Sequence, residues 1–308
     1  MHLIFTSSHD VTSDMLIDRM PIHTLRINND RTQDHEILVN EKGFRITDKH
    51  GRIVSDKTLL TAILRKPAPK TTETGDQALH SFRETSAAHG SLLQLIEHEW
   101  PEKLPICPSR LRDVTKFVQL YAAKGIFEVA PWAFTTHPES SGLADDVAIK
   151  TLSGMPFSAG SGSTSSTFIY VQPVKTSELA DGYPWFLQET IDARFDLTVL
   201  FIDGKMFAQR LDRQTFKGLD WRKHIGTEID AGWENVALTE RLSHKIDEYM
   251  RKLGLRFGRL DFLVKVDDLD DSLFLEVNPN GQWAWMDLKM NNGIFDAMIE
   301  FLCRPNKA

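Results

Sequence analysis

Two apolar runs, Gly258 to Val266 and Ser272 to Asn280, flank the acidic segment Asp267-Asp268-Leu269-Asp270-Asp271. The pattern predicts a β-hairpin. With the turn centred on Asp268-Leu269, Asp261 lies directly across from Glu276. Alternation along strands puts Leu260, Phe262, Val264, Leu273, Leu275 and Val277 on the buried face. Asp261, Glu276 and Asn278 share the other. Two carboxylates opposed on one sheet face repel each other, so something must offset them. Either the acids point into water or a divalent cation sits between them. Carboxylate and amide oxygens are hard ligands, and Mg²⁺ takes one or two carboxylates together with nucleotide phosphates.

The elements that would carry such a hairpin are marked by their punctuation. A helix is predicted after Asp113, with Val114, Phe117, Leu120 and Tyr121 on its apolar face and Gly125 at its end. A second begins near Thr239, buries Leu242, Ile246, Tyr249 and Leu253, and stops at Gly254. Ala87 to Trp100 reads as an amphipathic helix. Leu3-Ile4-Phe5, Ile37-Leu38-Val39 and Leu59 to Leu64 read as strands or buried segments, and strands are expected at Val147 to Lys150, Phe168 to Val171, Trp185 to Gln188 and Leu197 to Ile202. Pro101, Pro105 and Pro108 suggest a domain boundary. The small-residue stretch Ser153 to Thr167 buries little and reads as a mobile loop.

Composition narrows the function classes. The 308 residues are 41% hydrophobic and 26% charged, enough for two or three packed units. Lys and Arg total 36 against 43 Asp and Glu, a net charge of -7 that argues against nucleic acid as the main partner. Two distant cysteines suit a reducing compartment. The short apolar N-terminus is no signal-peptide core, and no run approaches the ~20 residues of a membrane span, so a soluble cytoplasmic protein is expected. There is no His-Glu-x-x-His, no Gly-x-Ser-x-Gly elbow and no Gly-Lys-Thr/Ser phosphate loop.

The Asp261 strand followed by Leu275-Glu276-Val277-Asn278-Pro279-Asn280 resembles the metal-binding signature of ATP-grasp ligases. Its extension, Gly281-Gln282-Trp283-Ala284-Trp285, resembles a narrower family, the graspetide (microviridin-type) peptide ligases. The match runs from about Lys116 to the C-terminus, and Arg65-Lys66-Pro67 resembles a basic element of the family's N-terminal domain. The resemblance implies an α+β ATP-grasp fold in which two α/β lobes grip ATP, preceded by a small α/β domain. It divides the chain into an N-terminal domain (1–110), a central lobe (111–187) with a phosphate loop at 153–167, and a C-terminal lobe with the metal site (188–308).

The same resemblance assigns roles. Lys116 and Lys150 resemble the two lysines that hold the nucleotide phosphates, the alternative for each being a solvated surface residue that their placement before and after Pro131-Trp132 disfavours. The 153–167 loop resembles a flap that closes over phosphates through backbone N–H groups. Its Gly160-Ser161-Gly162 is a poor dinucleotide fingerprint. Phe186-Leu187-Gln188-Glu189 resembles the linker that reads adenine and ribose, so Gln188, Glu189 and Asp196 are the further expected cofactor contacts. Asp196-Leu197-Thr198-Val199 aligns with a segment that usually reads Asp-Ile-Arg-Val, so Thr198 stands where a cationic contact is expected. Arg213 and Arg222 are candidates to replace it as catalytic cations, or are simply exposed arginines. Trp283 and Trp285 either line a substrate pocket or lie in the core. Asp261, Glu276 and Asn278 are the expected Mg²⁺ ligands.

The activity implied is ATP-dependent ligation. Side-chain carboxylates of a ribosomal precursor peptide become acyl phosphates and form intramolecular esters or amides, with release of ADP and phosphate. The expected partners are that precursor with its leader segment and a second copy of the chain in a homodimer. Two alternatives stand beside this: an ATP-grasp ligase for a small amino acid or peptide, and a nucleotide-binding module that has lost catalysis.

Overall fold

A computed structural model describes residues 1–20, 22–65, 76–152, 171, 173–224, 232–288 and 290–304. The N-terminal part opens with β1 (His2–Thr6), α1 (Val11–Ile17) and β2 (Thr24–Asn28). β3 (His35–Asn40), β4 (Gly43–Asp48), β5 (Ile53–Ser55), β6 (Thr61–Leu64) and α2 (Asp76–Glu99) follow. Strands β2-β1-β6 form a parallel sheet and β3-β4-β5 an antiparallel one. Leu3, Phe5, Leu25, Ile27, Ile46, Leu92 and Ile96 pack into one core between these sheets and α2. The helix α2 begins well before Ala87, because its first turns lack the apolar periodicity from which it is read.

The central part holds α3 (Pro108–Asp113), α4 (Lys116–Ala123), β7 (Glu128–Val129), β8 (Trp132–Thr135), β9 (Asp146–Lys150), β10 (Pro173–Lys175) and β11 (Trp185–Glu189). Strands β10-β9-β11-β8 make a four-stranded antiparallel sheet. The helix predicted after Asp113 starts at Lys116 instead, because Asp113 closes the preceding α3. Its buried face also differs from the expected one: Gln119 is buried and Tyr121 is 60% exposed. The 153–167 loop, and Phe168 to Tyr170 of the strand expected there, lie outside the described residues.

The C-terminal part is built on β12 (Phe195–Ile202), β13 (Lys205–Asp212), β14 (Glu234–Asn235), α5 (Glu240–Leu253), β15 (Phe257–Val264) and β16 (Ser272–Asn278). It closes with α6 (Ala284–Leu288) and α7 (Ile294–Cys303). The sheet order is β14-β13-β12-β15-β16-β7, antiparallel except for the parallel β16–β7 pair. The helix α5 has the predicted bounds for the predicted reasons. Thr239 accepts the Leu242 N–H at 3.0 Å, and Gly254 takes the left-handed conformation (φ +64°) that ends the helix. Its Ile246, Tyr249 and Leu253 bury against Leu260, Phe262 and Phe274, on the order of 2 kcal/mol for each large apolar side chain. Trp283 is fully buried with Phe295, Met298 and Phe301 in the core joining α7 to β1 and α1. Among the described residues no helix is long and apolar enough to cross a membrane.

Candidate functional site

Asp261 and Glu276 are Cα partners in the β15–β16 ladder, as the alternation predicts, but the turn side of the hairpin is shifted by one residue. A bulge separates the pair from Phe262↔Phe274, Leu263↔Leu273 and Val264↔Ser272. The extra residue reassigns faces. Phe274, not Leu273 or Leu275, joins Leu260, Phe262, Val264 and Val277 in the main core. Leu273 packs with Leu263 and Ala130 in a small separate cluster that Leu275 borders. Leu275 and Glu276 consequently both line one pocket, the usual effect of a bulge in re-aiming adjacent side chains.

That pocket, about 210 Å³, lies where the central sheet meets the six-stranded sheet. Lys116, Lys150, Asp196, Asp220, Arg222, Arg259, Asp261 and Glu276 line it. Lys116 stands on the first turn of α4 and makes an ion pair with Glu276. The buried Gln119 of the same helix fixes that approach: its amide donates to Val114 O at 3.1 Å and accepts the Val277 N–H at 3.1 Å. Asn278 joins the acids by donating from Nδ2 to Glu276 Oε1 at 3.1 Å and Asp261 Oδ2 at 3.2 Å. Asp261, Glu276 and Asn278 therefore share one face, with the Asn278 amide bridging the two carboxylates.

The electrostatics follow from these neighbours. Burial alone would raise the Glu276 carboxyl, but the Lys116 and Lys150 ammoniums outweigh it and hold the group well below the usual carboxylate range. Lys150 extends from the end of β9 and donates to Gln188 Oε1. Burial pushes its ammonium down to about 8, with Glu276 opposing and Lys116 reinforcing the shift. Asp196 is pushed up to about 6 by burial, against the opposing pull of Arg213.

The remaining sequence-predicted residues divide by position. Gln188 is 2% exposed, and its side chain links Lys150 to Ala130 O. Glu189 turns to accept the Ala144 N–H at 2.8 Å and does not line the pocket. Arg213 donates to both Asp196 oxygens at 2.9 Å and lines a separate open groove with Arg194 and Lys265. Arg222 lines the pocket, held by Asp220 through bonds of 2.8 and 2.6 Å. Trp285 packs at tilted angles against Trp221 and Trp233, both of which line the pocket.

Three residues make contacts that the sequence reading did not assign to them. Thr198 donates its hydroxyl to Asp261 Oδ1 at 2.9 Å, so it supports the acid instead of supplying a charge. Arg259 bonds Asp261 Oδ2 at 3.2 Å from the same strand, two residues away, a spacing that was the available signal. Arg65 is 1% exposed and donates to Asn280 Oδ1 at 3.1 Å and Gln282 Oε1 at 3.3 Å. It thereby ties the N-terminal part to the segment that follows the metal-ligand candidates.

No family model matches the sequence, and no curated protein matches it. Solved structures do. The macrocyclase MdnC from Microcystis aeruginosa MRC, crystallised with its precursor peptide MdnA, superposes with a TM-score of 0.80 at 21% identity, covering 98% of this chain and 99% of that one. A Chryseobacterium gregarium RiPP-associated ATP-grasp ligase in complex with ADP and leader and core peptides gives 0.77 at 20%, covering 98% and 96%. The macrocyclase MdnB, also from Microcystis aeruginosa MRC, gives 0.73 at 19%, covering 98% of each chain. The chain thus has an α+β fold shared, over nearly its whole length, with ATP-grasp ligases.

Proposed function

We propose that the protein is an ATP-dependent peptide ligase that activates side-chain carboxylates of a ribosomal precursor peptide and joins them to hydroxyls or amines within the same peptide. The observation that carries this reading is the convergence of Asp261, Glu276, Lys116 and Lys150 on one pocket, with Asn278 hydrogen-bonded to both acids. The surrounding fold is one that precursor-bound ligases share. The division into units 1–110, 111–187 and 188–308, the homodimer and the cytoplasmic location belong to the same proposal.

The donor set suits the cofactors. Two carboxylates and an amide on one sheet face are the hard, sparse oxygen set that Mg²⁺ takes when nucleotide phosphates complete its shell. No denser cluster of three His, Cys, Asp or Glu side chains occurs among the described residues. Asp261, Glu276 and Asn278 would hold Mg²⁺, while Lys116 and Lys150 would hold the phosphates, with Gln188, Glu189 and Asp196 on the nucleoside side. Bound ATP supplies a phosphoryl group that turns a carboxylate, whose leaving group would be oxide, into an acyl phosphate whose leaving group is phosphate. The protein's part is to neutralise charge where it develops. Lys150 and Arg222 face the pocket for that task, and Asp220 orients Arg222 through both of its oxygens. Arg213, engaged with Asp196, keeps that acid in place.

The test uses a short peptide encoded beside the gene and rich in Thr, Ser, Lys, Asp and Glu. Incubation with ATP and Mg²⁺ should give ADP, phosphate and a peptide lighter by one water per bond formed. Release of AMP and pyrophosphate would exclude the acyl-phosphate route.

A further inference from the structure

Arg65, just past the end of β6, is buried where the N-terminal part meets the turn that follows Asn278. Asp10 is its partner by charge, buried beside it and held by the hydroxyls of Thr6 and Ser13 at 2.8 and 2.6 Å. A guanidinium and a carboxylate so placed ordinarily make two parallel hydrogen bonds. Here they do not. Nε stands 3.7 Å from Oδ2, and both Arg65 Nε and Asp10 Oδ1 are buried with no hydrogen-bond partner among the described residues. The fork is turned away instead, with Nη1 donating to Asn280 Oδ1 and Nη2 to Gln282 Oε1. Asn280 answers from Nδ2 to the Leu64 and Arg65 carbonyls at 3.3 and 2.9 Å, and Thr12 donates to Gln282 Oε1 at 3.0 Å. Buried polar atoms without partners are destabilising, so a fork that forgoes Asp10 to grip this turn calls for a reason.

We infer that Arg65 is a positioning residue for the metal centre: from the N-terminal part it fixes the turn 278–282, and with it the backbone that carries Asn278. This rests on the metal reading given above. The Asn278 amide donates to both Asp261 and Glu276. To serve a cation it must offer its oxygen in place of its N–H, and rotation of the amide achieves that only if the backbone beneath it stays in place. The turn is short and closely fitted. The Gly281 N–H donates to Asn278 O at 3.1 Å, and a Cβ on Gly281 would stand 3.1 Å from that of Asn278 and 3.2 Å from that of Arg259. On the β15 side Arg259 donates to Gln282 O at 3.0 Å. On the other side the charged hold is the Arg65 fork, which spans residues 280 and 282. A displacement of the turn therefore reaches Asn278 within two residues. Asp10 and the turn compete for one guanidinium, so removing the Asp10 charge leaves the hold on the turn intact.

Arg65→Met alone would strand the buried Asp10 carboxylate, so it is made in an Asp10→Asn background and compared with Asp10→Asn. Asn280→Ala, which leaves both charges in place, is the second route. Calorimetry on the full chain measures ADP affinity with and without Mg²⁺, and thermal melting is followed alongside. Asp10→Asn should melt at a lower temperature yet keep the parent's gain in ADP affinity on adding Mg²⁺. The Arg65→Met, Asp10→Asn double variant and Asn280→Ala should each lose about tenfold or more of that gain, the usual effect of removing the support behind a metal ligand. Their ADP affinity without Mg²⁺ should match the parent's. A purely structural Arg65 would shift the melting temperature and leave the Mg²⁺ gain of the folded protein intact, and that result overturns the inference. So does an Asp10→Asn variant that loses the gain as fully as the others. A parent whose ADP affinity is indifferent to Mg²⁺ overturns the metal reading and this inference together. A parent that shows the gain, with variants that keep it, condemns Arg65 alone.

Discussion

Lys150 should make nucleotide binding take up protons near pH 8. Its ammonium lies where burial brings the pKa from 10.5 to about 8, even with Glu276 and Asp261 pulling the other way. That depression corresponds to about 3 kcal/mol by which the folded environment disfavours the charged form. The sign for stability follows. Between about 8 and 10.5 the unfolded chain binds more protons, so stability rises with pH across that window and the full cost applies below it. A phosphate group placed beside Lys150 adds negative charge and favours the ammonium, so binding should carry the pKa back up. Near pH 8 about half a proton should be taken up per nucleotide bound, and close to none at pH 6.5. Calorimetric titration of ADP and Mg²⁺ in buffers of differing ionisation enthalpy reads this uptake directly. Affinity should be flat below pH 8 and fall by up to tenfold per unit above it. Lys150→Arg should abolish the uptake, because a guanidinium stays charged throughout. Lys150→Met should weaken binding yet raise thermal stability, since it removes a buried charge. Equal buffer dependence in the parent and in Lys150→Arg at pH 8 would refute the reasoning.

Gln119→Leu keeps the volume of the side chain but strands the Val277 N–H and the Val114 carbonyl. A loss of ~2–4 kcal/mol in chemical denaturation is expected, because buried unsatisfied polar groups cost 1–3 kcal/mol each. Arg222→Ala should lower turnover about a hundredfold, the usual effect of losing one donor aimed at developing charge, and should also lower stability, since it leaves the buried Asp220 without its cation. Arg213→Ala should lower stability with a much smaller effect on turnover, since it leaves Asp196 without its cation; that carboxyl, already near 6, should rise further. Denaturation midpoints and ADP release measured side by side on the two variants check the difference in turnover.

The legibility of this architecture tracks the range of the interactions involved. Caps and alternation are local, so α5, with Thr239 and Gly254 at its ends, and the Asp261–Glu276 pairing can be read directly. The bulge leaves no mark in the apolar pattern, because Leu273, Phe274 and Leu275 are all apolar and any one can be the extra residue. The α4 face misleads because an aromatic residue reads as core and a glutamine as surface. Gln119 is buried for the backbone groups of Val114 and Val277, the second 158 residues away. Arg65 is the extreme case: its partners Asn280 and Gln282 are more than two hundred residues distant, so only the folded chain brings them together. Side-chain placement at the site was legible where alternation alone sets it, at Asp261 and Glu276. At Arg259 the two-residue spacing marked the face shared with Asp261, but the bond to the Gln282 backbone oxygen is set only by the folded chain.

The central claim is that Asp261 and Glu276 form a magnesium site serving a nucleotide. The double variant Asp261→Asn, Glu276→Gln keeps the shapes of both side chains and one acceptor oxygen on each while removing their charges, so the fold should persist by circular dichroism and thermal melting. Calorimetric titration of ADP into parent and variant, with and without Mg²⁺, is the direct measurement. The parent should bind ADP more tightly with Mg²⁺ than without, and the variant should show the same affinity in both conditions. A variant that retains the full Mg²⁺ enhancement would contradict the account.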